Sequence, residues 1–100
     1  MERHVRVVVI GGGNMGAGVL YHLAKEGWTD CVLIEKAELT SGATWHAAGL
    51  VMQLRANYTL TQLCRYGAQL YASLEAETGQ ATGFKRCGSL PVARTPERFH

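Results

Sequence analysis

Apolar and mostly β-branched residues run almost without a break from Val5 to Ile10 (VRVVVI), the pattern of a parallel strand buried on both faces. From Asn14 to Glu26 the apolar positions thin to helical spacing at Val19 or Leu20, Leu23 and Ala24, and Gly27 stands where a left-handed C-cap residue belongs. A second short apolar run, Cys31 to Glu35 (CVLIE), follows at once. Strand, helix and strand over residues 5–35 make a βαβ unit, whose crossover is expected to be right-handed.

After Lys36 the pattern loosens. Thr, Ser, Gly and Ala dominate to about Asn57 around a Trp45-His46 pair, which predicts a functional loop with a short helix in it. Leu60, Leu63, Cys64, Gly67, Leu70, Tyr71 and Leu74 then form one stripe of a helix over about 59–78; Thr59 and Gln62 have capping-box spacing at its start, and Gly79 follows its end. Residues 87–93, with Gly88 to Ala93 reading GSLPVA, look like the start of a substrate-domain strand, which Pro91 confines to an edge or a strand start. Thr95-Pro96-Glu97 has the form of an N-cap, a first helical Pro and a first-turn acid. Two parallel strands cannot cover both faces of their sheet, so residues 1–100 are expected to be a fragment of a larger α/β protein.

Composition narrows the chemistry. Of 100 residues 47% are apolar and 18% charged, which describes a chain that folds. The net charge of +2 is slight and the ten Lys and Arg are spread along the chain, so neither nucleic acid nor a membrane surface is an expected partner. Cys31, Cys64 and Cys87 have no zinc or redox spacing; they read as small buried hydrophobes in a reducing compartment. Met1-Glu2-Arg3-His4 leads straight into the first strand and no apolar run reaches spanning length. A cytoplasmic location is the expectation.

Gly11, Gly13 and Gly16 fill a GxGxxG pattern directly after a strand and at the opening of a helix, with Asn14 and Met15 between the last two. The three glycines serve a tight turn, close approach of the backbone to a diphosphate, and close helix-strand packing. The helix N-terminus, with its unpaired N–H groups and positive dipole end, then faces the anion. Glu35 ends the second strand nineteen residues after Gly16, near the spacing of about 20 expected for a ribose contact. A ligand-free Gly-rich turn would require strand, glycines, helix and acid to coincide by accident. A carboxylate at this place opposes a ribose 2′-phosphate, which leaves FAD or NAD; Lys36 beside it softens that exclusion.

The segment Glu38 to Leu50 (ELTSGATWHAAGL) resembles the amine-oxidising flavoproteins of the D-amino-acid oxidase superfamily, and within it the sarcosine and dimethylglycine dehydrogenases. Gly49 to Arg55 (GLVMQLR), Leu74 to Phe84 (LEAETGQATGF) and the GSLPVA stretch share the resemblance, which covers nearly the whole chain. It implies a Rossmann-like FAD-binding βαβ fold of the D-amino-acid oxidase and glutathione reductase type, with residues 1–100 the N-terminal part of an FAD-binding oxidoreductase domain. It further implies that His46 carries FAD covalently, through a ring nitrogen joined to the 8α-methyl of the flavin. A histidine that makes this bond must be neutral, and the reading places it at the start of a short helix. Ser41, Gly42, Ala43, Ala47 and Ala48 are small enough for a ring system to approach the backbone, and Ser41 and Thr44 supply hydroxyls for the diphosphate or ribityl chain. Lys36, Gly49 and Leu50 complete the expected cofactor-binding set.

By the same resemblance the substrate is an N-methylamine, sarcosine or dimethylglycine, oxidised by hydride transfer to the flavin. Formaldehyde or methylene-tetrahydrofolate is the implied carbon product, tetrahydrofolate binding a separate C-terminal domain, and an electron-transferring flavoprotein the implied acceptor. Two rival readings stand beside this one. A regulatory subunit of pyruvate dehydrogenase phosphatase resembles the same dehydrogenases, although retention of the glycines, Glu35 and His46 speaks against lost flavin binding; a bare NAD module has no use for the Thr-Trp-His segment. Without the resemblance His46 reads as a loop histidine bonded to a neighbour. His4, His22 and His100 read as solvated or surface residues, and Trp45, Tyr58, Tyr66 and Tyr71 as packing residues. No metal site is expected, and the acid-base residues of catalysis are expected beyond His100.

Overall fold

Strands β1 (Val7–Ile10) and β2 (Cys31–Ile34) lie parallel, with Val7 opposite Cys31 and Ile10 opposite Ile34, and helix α1 (Asn14–Lys25) joins them. The computed structural model describes residues 4–98, which fall into two compact units, one ending at Gly49 and one beginning at Leu50. The first unit is the βαβ element that the hydrophobic pattern predicts. Its helix stops where expected: Gly27 is left-handed at φ +88, its N–H reaches the Ala24 carbonyl at 3.0 Å, and Trp28 N–H reaches the Leu23 carbonyl at 2.9 Å. These are the paired bonds of a Schellman cap. At the same, N-terminal end of the strands, Arg6 N–H bonds the Asp30 carbonyl, the Arg6 guanidinium pairs with the Asp30 carboxylate, and it stacks 4.4 Å from the Trp28 ring centre.

Burial of the first strand departs from expectation. Val7 and Val9 are half-buried, but Val8 and Ile10 are 46% and 86% exposed, and Ile34 on β2 is 53% exposed. Strand β1 is also shorter than Val5 to Ile10, and β2 stops before Glu35. The physical reason is the number of layers: α1 packs on the strands, and among the described residues nothing covers the exposed apolar positions. Cys31 and Cys64 are half-buried and Cys87 exposed, so none is the fully buried hydrophobe expected.

In the second unit helix α2 spans Tyr58–Thr78. Of the predicted stripe Cys64, Gly67, Leu70, Tyr71 and Leu74 are half-buried but Leu60 and Leu63 are exposed, and the cap is different. Asn57, with extended backbone, accepts the Leu60 N–H on its Oδ1 at 2.9 Å, displacing the Thr59 and Gln62 pair as N-terminal signal. Thr61 reinforces the corner, its hydroxyl donating to the Asn57 carbonyl at 2.9 Å and accepting the Arg55 N–H at 3.0 Å. Gly79 closes the helix at φ +74 with its N–H on the Glu75 carbonyl. Tyr71 meets Phe84 at 6.1 Å between ring centres, and Ala68 is the one fully buried apolar side chain among the described residues.

Residues 87–93 form no strand in the structure: among the described residues no ladder partner meets them, and an unpaired extended segment has no hydrogen bonds to hold a strand. Pro96–Arg98 forms a single 3-10 turn, with the Pro first as read. No described helix is long and apolar enough to cross a membrane.

Because Asn57 and not Thr59 satisfies the first N–H groups of α2, Asn57→Ala should lower unfolding stability by about 1 kcal/mol, with loss of helical ellipticity at lower urea. Thr59→Ala should change it by less than about 0.5 kcal/mol, as at an ordinary surface position.

Candidate functional site

The glycine turn follows directly from β1. Gly11 continues the ladder with its N–H on the Ile34 carbonyl at 2.8 Å, then turns at φ +107, a conformation closed to side chains other than hydrogen. A Cβ on Gly16 would stand 1.8 Å from the Gly11 carbonyl oxygen, so α1 can start this close to the strand only with glycine there. Gly13 is the N-cap of α1 and offers no side chain to cap it; a Cβ there would stand 2.9 Å from Thr44 Oγ1. The first N–H groups of a helix have no intrahelical partners. Here the first closed bond is Ala17 N–H to Gly13 O, and Asn14 N–H is accepted by Thr44 Oγ1 at 2.9 Å. No acid lies in the first turn of α1, so this positive dipole end suits an anion.

Glu35 stands beside the turn. Its Oε2 accepts the Gly12 N–H at 2.7 Å and its Oε1 accepts the Ala37 N–H at 3.0 Å. The Gly12 amide, then the Ala37 amide, hold the carboxyl below its ordinary value of 4.5, against a smaller opposing effect of burial. The group is therefore an ionised acceptor at neutral pH. A carboxylate has about four lone-pair directions, and two remain after these bonds, the complement of a vicinal diol such as that of a ribose.

The loop after Lys36 is laid on the turn. Thr40 N–H bonds the Gly12 carbonyl at 2.9 Å, and Thr40 itself sits at φ +64, an outlying conformation for a β-branched residue that costs on the order of 1–3 kcal/mol. Ser41 N–H to Glu38 O, His46 N–H to Ala43 O and Ala47 N–H to Thr44 O follow at 3.2 to 3.3 Å. They are four-residue turns closed by i to i−3 bonds, not the short helix expected, because the left-handed Thr40 breaks the backbone course and no i to i−4 ladder forms. His46 consequently has no helix start beneath it. Its Nδ1 lies 2.9 Å from the Gly42 carbonyl. A carbonyl only accepts, so Nδ1 carries the hydrogen and the Nε2 lone pair is left outward in the neutral ring. Trp45 lies tilted against that ring, 4.1 Å between centres.

One groove of the first unit thus gathers most of the residues expected to bind a cofactor: Gly11, Gly13, Asn14, Met15 and Gly16 from the turn, Glu35 and Lys36 from the end of β2, and Ser41 and Thr44 from the loop. His46, Gly49 and Leu50 are not in its lining. His46 is exposed two residues beyond it, Gly49 is left-handed at φ +72, and Leu50, 77% exposed, opens the second unit. Three residues escaped the sequence reading, among them Ile10, which ends β1 and lines the groove. Gly12 is buried between Leu39 and Glu35, where a Cβ would lie 2.6 Å from Leu39 Cδ2, and Thr40 joins the lining. The unbroken run of three glycines was the one signal for the former. Helix-end donors, a turn without Cβ atoms and a carboxylate with two spare acceptor directions together fit a diphosphate bonded to a ribose.

A family profile described as FAD dependent oxidoreductase matches residues 6–100. The chain is 50% identical over 98 residues to a 4-methylaminobutanoate oxidase (formaldehyde-forming) of Paenarthrobacter nicotinovorans, covering 98% of this chain and 12% of that protein. It is 50% identical over 91 residues to the mitochondrial dimethylglycine dehydrogenase of Rattus norvegicus, covering 91% of this chain and 11% of that one. With the mitochondrial regulatory subunit of pyruvate dehydrogenase phosphatase from Mus musculus it shares 43% over 99 residues, 99% of this chain and 10% of that protein. The chain therefore spans about a tenth of the length of the curated relatives it matches. With the profile matched over almost its whole length, the chain belongs to the FAD dependent oxidoreductase family.

Proposed function

We propose that this chain is the adenosine-side FAD-binding part of an amine dehydrogenase acting on a small N-methylated amino acid such as dimethylglycine or sarcosine. The observation that carries the reading is the Gly11–Gly16 turn with Glu35 pinned on the Gly12 amide and the Thr44 loop laid on the start of α1. Similarity to proteins named for oxidising 4-methylaminobutanoate and dimethylglycine supports the substrate class. The first-turn amides of α1 and the Thr44 hydroxyl would hold the diphosphate, and Glu35 the ribose diol. Bound FAD supplies the redox chemistry by accepting hydride from the N-methyl group. Hydrolysis of the iminium then releases formaldehyde, or its carbon passes to tetrahydrofolate, and an electron-transferring flavoprotein takes the electrons. His46, with Nδ1 on the Gly42 carbonyl, would hold the flavin end through a bond from its Nε2 to the 8α-carbon.

The similarity to a phosphatase regulatory subunit favours a second reading, a flavin-binding regulator without turnover. Anaerobic addition of dimethylglycine or sarcosine to the full-length, FAD-loaded protein separates the two. The first reading expects the visible flavin absorbance to bleach. Retained absorbance with every N-methylamine tried would favour the second.

Two further outcomes follow from the site residues. His46→Ala should leave all flavin in the supernatant after acid precipitation, whereas the unsubstituted protein keeps it in the pellet. Glu35→Gln should weaken ADP binding about tenfold to a hundredfold, the worth of hydrogen bonds to a charged acceptor. The folded pKa of Glu35 lies below its ordinary 4.5, so its contribution to stability is complete above that pH and lost as pH falls through the depressed value. Urea titrations of the parent below pH 4.5 should therefore show a steeper decline than those of Glu35→Gln, in which the lowered carboxyls of Asp30 and Glu97 still contribute.

A further inference from the structure

Between Lys36 and Leu60 every residue is exposed except Thr44, which is half-buried. Its Oγ1 accepts the Asn14 N–H at 2.9 Å, across 30 residues of sequence, and fills the place that a Cβ on Gly13 would crowd. A hydroxyl accepts through its lone pairs and donates through its own hydrogen. Accepting from Asn14 therefore leaves the Thr44 O–H to donate to an anion at the start of α1. The carbonyl of the same residue accepts the Ala47 N–H at 3.3 Å, and the turn it closes carries His46, whose ring is tied to the Gly42 carbonyl at 2.9 Å. Thr44 thus grips the nucleotide end with its side chain and the histidine turn with its main chain.

The next anchor upstream is Thr40, on the Gly12 carbonyl. Between it and Thr44 stand Ser41, Gly42 and Ala43, all exposed, with Gly42 free of neighbours at its Cβ position. A glycine in an exposed stretch leaves the backbone wide freedom, so Thr40 alone does not set the direction of the His46 turn. Resting on the reading that FAD lies with its diphosphate at α1 and is joined to His46, we infer that Thr44 is a positioning residue that couples occupancy of the diphosphate site to placement of the His46 ring. Gly13 belongs to the same device, because a side chain there would push Thr44 off Asn14.

The test compares Thr44→Ser, which keeps the hydroxyl, with Thr44→Val, which keeps the shape and loses it, in the full-length protein. Covalent flavin incorporation into apoprotein supplied with FAD is followed in acid-precipitated samples. ADP affinity and hydrogen exchange of residues 42–47 with and without ADP are measured beside it. Thr44→Ser should match the parent throughout. Thr44→Val should slow incorporation about tenfold to a hundredfold, the scale of a misplacement of about 1 Å. Its ADP affinity should change less than about fivefold, as for one neutral hydrogen bond, and ADP should no longer slow exchange at 42–47. Incorporation at the parental rate in Thr44→Val overturns the inference. So does loss of ADP binding and incorporation in equal proportion, which would make Thr44 a nucleotide ligand alone. If the parent binds FAD but never covalently, the assignment of His46 fails separately, and exchange decides: ADP protection of 42–47 in parent and Thr44→Ser but not Thr44→Val supports coupling, and any other pattern overturns it. Should Thr44→Val not fold, Thr44→Ala takes its place in each comparison.

Discussion

The approach of α1 to the end of β1 is the constraint on which the rest of the first unit depends. A single methyl on Gly16 would meet the Gly11 carbonyl oxygen at 1.8 Å, far inside van der Waals contact, so strand and helix can join this tightly only through glycine. That tight join aims the amides of the helix start at the space above the strand ends. It also brings the Gly12 amide to Glu35 and the Asn14 amide to Thr44. Two residues far along the chain are thereby fixed to the turn, one by an ionised carboxylate and one by a hydroxyl. Binding chemistry here is a consequence of backbone packing, since the turn supplies main-chain donors and its glycines supply the room.

Legibility in the sequence followed the range of the interactions. The glycines at 11, 13 and 16, the helix between them and Gly27, and Glu35 could all be read because their roles are set by spacing within one supersecondary unit. Gly12 and Thr40 could not, because each acquires its role from a partner 23 or 28 residues away, Glu35 in one case and Gly12 in the other. The loop was misread as containing a helix because its small residues permit one; the left-handed Thr40, set by its bond to Gly12, imposes turns instead. At α2 the capping-box spacing of Thr59 and Gln62 pointed to the wrong residue, and Asn57 caps the helix because its extended backbone and short amide reach the Leu60 N–H directly.

Burial was the other misreading. The run VRVVVI has the composition of a strand covered twice, yet Val8, Ile10 and Ile34 are exposed. An apolar sheet face of this kind is stable in water only when another layer lies on it, and none lies on it among the described residues. Composition therefore reports the environment for which the strand is suited, while burial reflects the layers that the described residues supply. The glycine turn does not need the second layer for its own geometry, because its contacts are to β1, β2, Glu35, α1 and the 39–44 loop.

The central claim is that this turn seats the diphosphate of FAD at the start of α1, with the adenosine ribose on Glu35. An experimental structure of the full-length protein with its flavin tests it most directly. The account predicts diphosphate oxygens within hydrogen-bond distance of the first-turn amides of α1 and of Thr44 Oγ1, and both ribose hydroxyls on the Glu35 carboxylate. A flavin nucleotide bound elsewhere, with the amides of Met15 and Gly16 and the Glu35 carboxylate facing solvent, would contradict it.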